Sequence, residues 1–534
     1  MTRAQRGTLA AAVLGSAVVF LDGSVVYVAL PRIGASLPAT VLGTLEGQTY
    51  VGAAYMATLA AFLLLGGALG DYHGRKRVYL LGLAGFGLTS ALCGLAPNLE
   101  ALVLGRILQG ASGALLVPGA LAIISAAFAG PARARAIGLW AAATSSVVVL
   151  GPPIGGVLVE AIGWRAVFVV NVPLVLGAGL AAIRWIEESH DRTASGRFDW
   201  LGAGRAVVAV GGLTFGAIRG QEEQWQDPVA VGALALGAAA AVAFPILMAQ
   251  RPHPLVPLRL FRDRTFATIN LATLLIYGAF YASFLFQALF LQGTLGYSPL
   301  AAAIVGLPTG LLLVLLSTRI GSIAGRTGTR PFLVAGPTIM AVSLLWWLRV
   351  PSTSVPWLAT LADPATLVPP PDVLVDPLPA TIGFGIGMAL LVAPLTTTVM
   401  GSVPLQNLGI GSAINNALSR VGQPLVAAAI FLFVSGSFYA TLAAAIPGAD
   451  PSSPALHAMF QPLNPPAPEV PPELVATARE ASTQAFRLAA IVMAALCFAG
   501  AVVNAVGLSG ASALPKPDVP AEGRRSEPEP PIRA

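Results

Sequence analysis

The first apolar stretch of the chain is LAAAVLGSAVVFLDGSVVYVAL, residues Leu9–Leu30. Its 22 residues match the ~20 residues that an α-helix needs to cross the ~30 Å hydrocarbon layer of a membrane. The stretch is too long for the core of a cleavable signal peptide, and it lacks a convincing small-residue cleavage site. We therefore expect a membrane-spanning helix that stays in the protein, with one acidic residue, Asp22, well inside it.

The composition of the whole chain extends this prediction to the rest of the sequence. Of the 534 residues, 56% are hydrophobic and only 10% are charged. So few charges could not cover the surface of several water-soluble domains, which excludes a soluble protein. The net charge of +6 does not indicate a nucleic-acid partner, because the basic residues lie in short clusters between long apolar stretches.

The same length criterion predicts fourteen spanning helices, and thus an all-α integral membrane protein. Their approximate bounds are 9–30, 48–69, 78–96, 101–127, 136–159, 166–186, 200–219, 228–249, 266–291, 299–318, 331–350, 377–400, 410–440 and 484–508. About twenty Arg and Lys residues lie in one set of connecting segments and termini, against four in the other set. Because basic residues mark cytoplasmic loops, we expect both termini to be cytoplasmic, in a multi-pass protein of the plasma (inner) membrane.

A weak internal repeat predicts how the spans are grouped. The motif Gly67–Arg75 follows the second predicted span, and the related motif Gly321–Arg330 follows the tenth. Their spacing fits two six-helix halves with two extra helices between them, an arrangement known among transporters. The predicted parts are 1–190 (N-terminal half), 191–262 (two inserted helices), 263–508 (C-terminal half) and 509–534 (disordered cytoplasmic tail). The long non-cytoplasmic loops 351–376 and 441–480 are rich in Pro and need not form a domain.

Five motifs, in the order of the predicted spans, resemble those of the major facilitator superfamily, and in particular its fourteen-spanner drug:proton antiporter family. They are LDGSVVYVALP at 21–31, GALGDYHGRKR at 67–77, LGRILQG at 104–110, GPPIGG at 151–156 and WR…NVP within 164–173. The resemblance covers about residues 10–440 and implies the major facilitator fold, multidrug efflux coupled to protons, and a functional monomer. The sequence departs from the family at Tyr27, where Asn is common, and at Gly325, where a second acid is lost.

Asp22 is the main candidate for proton coupling. An ionised side chain at such a depth costs roughly 2.5–3.5 kcal/mol on insertion scales. A carboxylate that is neutral in an apolar setting and ionised when water or a cation reaches it can carry a proton. Arg106, in the middle of the fourth span, is its natural partner or modulator. A permanent Asp22–Arg106 pair and a switching pair are identical in sequence, so both remain open here.

Two further charged residues have several interpretations. Glu46 precedes the second span, where a solvated interfacial side chain is favoured over an accessory proton site. Arg420 lies in the thirteenth span beside Asn415 and Asn416, and polar groups at that depth should face the bundle interior. For Arg420, Asn415 and Asn416, three roles are equally open: substrate contact, a gating network and helix-to-helix packing.

Two motifs are candidates for gating. In the first, the resemblance implies a loop that brackets a neighbouring helix and breaks its contacts when the halves rock, and the glycines permit the close approach that this needs. A basic cluster that only sets topology is the alternative. The residues are Gly67, Gly70, Asp71, Gly74, Arg75, Lys76 and Arg77. The second motif predicts a helix that is bent and closely packed, which suits a hinge between the halves; a static kink is the alternative. Its residues are Gly151, Pro152, Gly155 and Gly156.

The ninth span offers an aromatic face with a polar end. Residues Tyr277, Phe280, Phe284 and Gln287 share one side of the helix, with Tyr281 adjacent. Packing against lipid or the protein core is the common role of such residues. If the face instead lines a cavity, it favours a large hydrophobic or cationic substrate. Further candidates for the cavity are Tyr55, Trp140 and Asn171.

No catalytic, metal or nucleotide site is predicted. The four His residues lie in loops or at span edges, with no acidic or Cys cluster at metal spacing. Neither Lys follows a Gly, so a phosphate-binding loop is absent from the sequence. We predict a transporter without cofactors that uses the proton gradient to export hydrophobic or amphipathic compounds. A lipid or glycolipid exporter on the same fold and a non-transporting membrane sensor or accessory protein are the alternatives.

Overall fold

The computed structural model describes residues 1–128, 130–189, 199–223, 225–252, 254, 256–403, 408–446 and 449–508. These residues are almost entirely helical, and their one isolated β-bridge joins Thr360 and Asp363. The predicted disordered tail, 509–534, lies outside the described residues.

The N-terminal part contains eight helices. A capping box starts the first one, because Thr2 accepts a hydrogen bond from the Gln5 backbone N–H and the Gln5 side chain accepts one from that of Thr2. The helices are α1 (Arg3–Ser36), α2 (Thr44–His73), α3 (Arg75–Gly94), α4 (Leu99–Gly113), α5 (Leu116–Ala127), α6 (Gly130–Ala161), α7 (Ala166–Val169) and α8 (Asn171–Trp185).

Two long helices follow, α9 (Trp200–Glu222) and α10 (Pro228–Gln250). They pack against each other at glycines: a Cβ added to Gly212 would lie 2.7 Å from the carbonyl oxygen of Ala233. Helix α9 also contacts α2. Asp227 caps the start of α10 by accepting a hydrogen bond from Val229 N–H.

The C-terminal part contains eight more helices and several short turns. The helices are α11 (Arg264–Leu289), α12 (Pro299–Thr327), α13 (Arg330–Trp346), α14 (Pro371–Val375), α15 (Pro377–Gly401), α16 (Leu408–Ala445), α17 (Pro454–Met459) and α18 (Pro472–Gly507). The turns are 3₁₀ segments at Leu258–Arg262, Trp347–Arg349 and Pro364–Leu367 and a π turn at Phe290–Thr294. The two Pro-rich loops, which were not expected to form a domain, contain short helices, and α18 begins inside the second of them.

Twelve helical stretches of the described residues are long and apolar enough to cross a membrane. Each coincides with a predicted span. Helices α2 and α6 lie at the two remaining predicted positions, and the count of fourteen spans stays a prediction. The fourth predicted span is broken between α4 and α5, around Gly113–Leu116.

The N-terminal and C-terminal bundles meet along α6 and α12, α2 and α16, and α1 and α11. Near the start of α2, the Gln48 and Asn464 side-chain amides exchange hydrogen bonds of 3.0 and 2.9 Å. Gln292 Nε2 donates to the Val28 carbonyl at 2.9 Å. Val28 lies late in α1 and Gln48 early in α2, so both contacts join the bundles at the end of the molecule away from the N-terminus.

Candidate functional site

A fully buried ion pair lies inside the N-terminal bundle. Asp22 on α1 and Arg106 on α4 are 0% and 1% exposed, and Arg106 Nη1 contacts Asp22 Oδ2 directly. Arg106 Nε also donates to the Val51 carbonyl at 2.9 Å, and Nη1 donates to Gln109 Oε1 at 2.8 Å. The predicted partnership of the two residues is therefore present in the structure.

The second carboxylate oxygen of Asp22 is held by two amides. Gln109 Nε2 donates to Oδ1 at 3.0 Å, and Asn171 Nδ2 donates to it at 2.8 Å. Asn171 also donates to Ser90 Oγ at 3.0 Å, and Ser90 Oγ donates to the Phe168 carbonyl at 2.8 Å. Because the buried charges are paired and hydrogen-bonded, their loss of hydration is largely offset.

Sequence reasoning missed two members of this cluster. Gln109 lies three residues after Arg106, hence on the same face of α4, and this spacing could have revealed it. Ser90 carries no such signal, because it reaches the cluster only through the packing of α3 on α8.

Three residues predicted for the cavity lie instead within the N-terminal bundle. The Tyr55 ring is 4.0 Å from Arg106 Cζ, and its hydroxyl donates to the Val19 carbonyl at 2.9 Å. Asn171 binds Asp22, as described above. Trp140 Nε1 donates to Ser16 Oγ at 2.9 Å. These side chains support α1 and the ion pair.

Two adjacent cavities lie between the bundles and share the ring of Phe284. They enclose about 550 and 270 Å³ of space, part of it open to the outside. None of the residues that line them is acidic. The larger is lined by Tyr27, Val28, Pro152, Ser283, Phe284, Gln287, Ala288, Leu291, Ala302, Val305, Gly306, Thr309 and Phe384. The smaller is lined by Val19, Phe20, Gly23, Ser24, Met56, Val148, Tyr281, Phe284 and Arg420.

The predicted aromatic face of α11 reaches these cavities at its middle. Phe284 and Gln287 line the larger cavity, and Tyr281 lines the smaller one. Phe280 and Tyr277 form a chain of ring contacts behind them, with centroids 6.0 Å apart between the two and 4.9 Å between Phe280 and Phe284.

Tyr27, which departs from the family pattern, belongs to the same aromatic wall. Its ring stacks on Phe284 at 6.3 Å with an interplanar angle of 11°. The departure therefore places an aromatic contact between α1 and α11 at the edge of the larger cavity.

The polar residues of α16 are divided between packing and the cavity. Asn415 Nδ2 donates to Asn270 Oδ1 at 3.1 Å and to Thr273 Oγ1 at 2.9 Å, which joins α16 to α11. The Asn416 carbonyl accepts from Ser419 Oγ at 2.8 Å. Arg420, 3% exposed, lines the smaller cavity.

Glu46 is not the solvated interfacial residue that the sequence favoured. Its side chain is 0% exposed, and Oε2 accepts hydrogen bonds from Gly43 N–H at 3.0 Å and from Arg219 Nη1 at 3.2 Å. Arg219 also binds Glu223 and Asp227, at 2.9 and 3.3 Å. The interpretation failed because the partner lies on α9, 173 residues away. At the surface of this cluster, the Val229 N–H and Arg219 lower the pKa of Asp227.

The first gating motif ends in a tight turn held by one acid. Gly74 has a φ of 105°, and a Cβ there would lie 2.8 Å from Glu188 Oε1. The same carboxylate accepts hydrogen bonds from the backbone N–H groups of Lys76 and Arg77, at 3.0 and 3.3 Å. Arg75 N–H donates to the Ser189 carbonyl at 2.9 Å. The Asp71 side chain lies outside what the structure describes.

The other glycines of this motif differ in their surroundings. A Cβ on Gly67 would lie 3.4 Å from Pro118 on α5, whereas a Cβ on Gly70 would lie 3.9 Å from Arg75. Gly67 therefore faces α5 closely, whereas Gly70 lies at ordinary contact distance from the start of α3.

The second motif places glycines at two helix contacts. Gly151 lies against Ser24, and a Cβ on Gly155 would lie 2.8 Å from the Val25 carbonyl oxygen, both on α1. A Cβ on Gly156 would lie 2.6 Å from Ala303 Cβ on α12. Helix α6 thus packs closely on its own bundle and on the opposite one, and Pro152 between these contacts lines the larger cavity.

Among the described residues, no group of three or more His, Cys, Asp or Glu side chains could hold a metal ion. A multi-pass helical protein with a buried ion pair beside a cavity between two bundles has the architecture of a membrane transporter. The chain belongs to the Major Facilitator Superfamily, whose sequence model matches residues 12–427. It is accordingly a transporter and not an enzyme.

Curated relatives and solved structures agree with this assignment. The chain is 32% identical to multidrug resistance protein Stp of Mycobacterium tuberculosis over 446 residues, which is 83% of this chain and 78% of Stp. It is 31% identical to the methylenomycin A resistance protein of Bacillus subtilis over 433 residues, 80% of this chain and 87% of that protein.

The fold is similar to that of solved transporters. A bacterial homologue of the human lysosomal transporter Spinster, in an inward-facing and unoccupied conformation, matches with a TM-score of 0.61 and 17% identity, over 96% of this chain and all of that one. An auto-inhibited peptide transporter of the POT family matches with a TM-score of 0.64 and 13% identity, over 95% and 96%.

Proposed function

We propose that the protein is a proton-coupled exporter of hydrophobic or amphipathic compounds that works by alternating access. The observation that carries the proposal is the Asp22–Arg106 pair, buried in the N-terminal bundle beside the cavity. The names of the relatives, which are drug resistance and export proteins, support efflux.

Helix α1 connects the ion pair to the cavity. Asp22 faces α4 and α8, whereas its neighbours Phe20, Gly23 and Ser24 line the smaller cavity. Protonation of Asp22 removes its charge and weakens its attraction to Arg106. Arg106 keeps its hydrogen bonds to Val51 and Gln109, so it stays in place while α1 is released. A shift of α1 would then change the cavity wall.

The proposed orientation gives the proton cycle its direction. With fourteen spans and both termini cytoplasmic, the bundle contacts at Gln48 and Val28 lie on the outer side, as an inward-facing state requires. Asp22 is protonated from the outside after the bundles rock, and it releases the proton to the cytoplasm. A membrane potential that is negative inside drives protons inward and supplies about 2.3 kcal/mol per charge per 100 mV. One deep acid suits one proton per cycle in a functional monomer.

The experiment measures uptake of Nile red, the hydrophobic probe, into everted membrane vesicles whose lumen is acidic, because an exporter moves its substrate into the lumen of such vesicles. We expect Asp22→Asn to abolish the part of transport that depends on the pH gradient, with normal membrane levels of the protein. Asp372→Asn, the same change at an exposed position of α14, is the matched control and should transport normally. Undiminished gradient-driven transport by Asp22→Asn would overturn the proton-carrier role and favour a weakly coupled lipid exporter.

A further inference from the structure

Arg420 is a buried cation for which the described residues supply no carboxylate. It is 3% exposed, and its Nε has no hydrogen-bond partner in the part of the chain that the structure describes. Its contacts are with uncharged groups: Nη1 lies 4.0 Å from Met56 Sδ, and Cζ lies 5.0 Å from the Phe20 ring centroid. A guanidinium group has five N–H donors, and leaving them unsatisfied in a buried place is costly.

The sequence offers no nearby acid in the same bundle. Between Asp263 and Asp363, and again between Asp376 and Asp450, no acidic residue occurs. The described parts of α11, α12, α13, α15 and α16 therefore contain no carboxylate. In the N-terminal bundle, Asp22 is already held by Arg106, Gln109 and Asn171. The other acidic residues on helices of this bundle are Asp372 on α14 and Glu473 and Glu480 on α18, and all three precede the predicted spans. A counter-charge for Arg420 therefore has to come from a bound group.

The place where that charge can arrive is the smaller cavity. Arg420 lines it together with Tyr281, Phe284 and Phe20. Phe284 continues into the larger cavity, whose wall is mainly aromatic and aliphatic. An acidic group on Arg420 and an apolar body along the α11 aromatic face would occupy both spaces at once.

We propose that the transported compounds include amphipathic acids, whose carboxylate, sulfonate or phosphate binds Arg420 while their apolar part lies on Phe284 and Tyr281. This inference rests on the proposed export function and narrows its substrate class. It replaces the expectation of a cationic substrate, for which the cavity lining provides no acidic residue.

The test measures binding to the purified full-length protein in lipid nanodiscs by isothermal titration calorimetry. The probes are three compounds of one shape: naphthalene-2-acetate, its neutral amide, and 2-(2-naphthyl)ethylammonium. Since hydrogen bonds between charged groups are stronger than those to a neutral amide, we expect the anion to bind at least about tenfold more tightly than the amide. The ammonium compound should bind most weakly.

Substitutions of Arg420 test whether this residue causes the preference for the anion. Arg420→Gln should remove the advantage of the anion and keep binding of the amide, which also shows that the variant is folded. Arg420→Lys should restore part of the advantage. Arg349→Gln, on the short turn after α13, is the control of identical chemistry and should bind all three probes like the wild type.

Three results would overturn the inference: equal binding of the three probes, an anion preference that survives Arg420→Gln, or no saturable binding of the anion. Export of Nile red by the pH gradient together with any of these would leave the proposed function standing. Selective anion binding without gradient-driven export would instead contradict the proposed function and support the role of Arg420.

Discussion

At the scale of single residues, the buried charges differ in how they are compensated. Asp22 and Arg106 satisfy each other, and Glu46 is compensated by Arg219. Among the described residues, Arg420 contacts the Phe20 ring and the Met56 sulfur and no carboxylate. A charge that is buried and paired is stable only while its partner is present, because a lone buried charge loses its hydration without return.

The Glu46–Arg219 pair allows a direct test of this point. Arg219→Gln leaves Glu46 buried without its cation and should destabilise the protein by about 3–5 kcal/mol. The double variant Glu46→Gln/Arg219→Gln should recover much of that loss, because no charge is left buried. Thermal unfolding of the detergent-solubilised variants measures the effect. Equal melting temperatures for wild type and Arg219→Gln would contradict the structural assignment.

How far the sequence predicts this site depends on whether the partners are near in the chain. The Asp22–Arg106 pair was predictable, because each charge interrupts a long apolar stretch and nothing else in those stretches could neutralise it. The burial of Glu46 was not predictable, because α9 has to fold against α2 before the pair exists. The sequence alone did not predict that Arg420 is without a nearby carboxylate, because this also depends on which residues line the cavity.

At the scale of helices, glycines decide which pairs of helices can approach. Gly156 lies at the contact of α6 with α12, and its missing Cβ leaves room for Ala303 and the Pro299 carbonyl. The motif that contains it was evident in the sequence, but the helix that it contacts was not.

Gly156→Ala should therefore disturb the contact between the bundles. Overpacking by one methyl group typically costs 1–3 kcal/mol. Here it destabilises the conformation in which α6 and α12 are in contact at Gly156. We expect reduced transport and easier labelling of a cysteine introduced by Gln287→Cys with an impermeant thiol reagent added outside.

The matched control is Gly177→Ala on α8, where an added Cβ meets nothing within 4 Å. The two native cysteines are buried, so background labelling should be low. If both alanine variants transport and label alike, the packing of Gly156 does not govern the conformational equilibrium.

At the scale of the whole molecule, the two bundles meet at one end through contacts made by residues far apart in sequence. Gln48 and Asn464 are 416 positions apart, and Asn464 lies in the Pro-rich loop 441–480, which nothing in the sequence places against α2. Hydropathy predicts where helices cross the membrane, but it contains no information on such pairings between distant loops and helix ends.

A reversible crosslink tests whether this contact opens during transport. In the double variant Gln48→Cys/Asn464→Cys, a bifunctional methanethiosulfonate that bridges the two thiols should hold this end closed and stop transport, and a reductant that cleaves the bridge should restore it. Each single cysteine variant, treated in the same way, is the control. Transport that continues at full rate with the crosslink formed would contradict alternating access at this interface.

In the proposed mechanism, Asp22 exchanges its pairing with Arg106 for a proton. Infrared difference spectroscopy of the protein reconstituted in lipid detects the carbonyl stretch of a protonated carboxylic acid and measures this exchange most directly. On acidification within the pH range of transport, a band should appear in the wild type and in Asp372→Asn and be absent from Asp22→Asn. A spectrum in which Asp22 contributes no such band, while transport proceeds, would contradict proton exchange at Asp22.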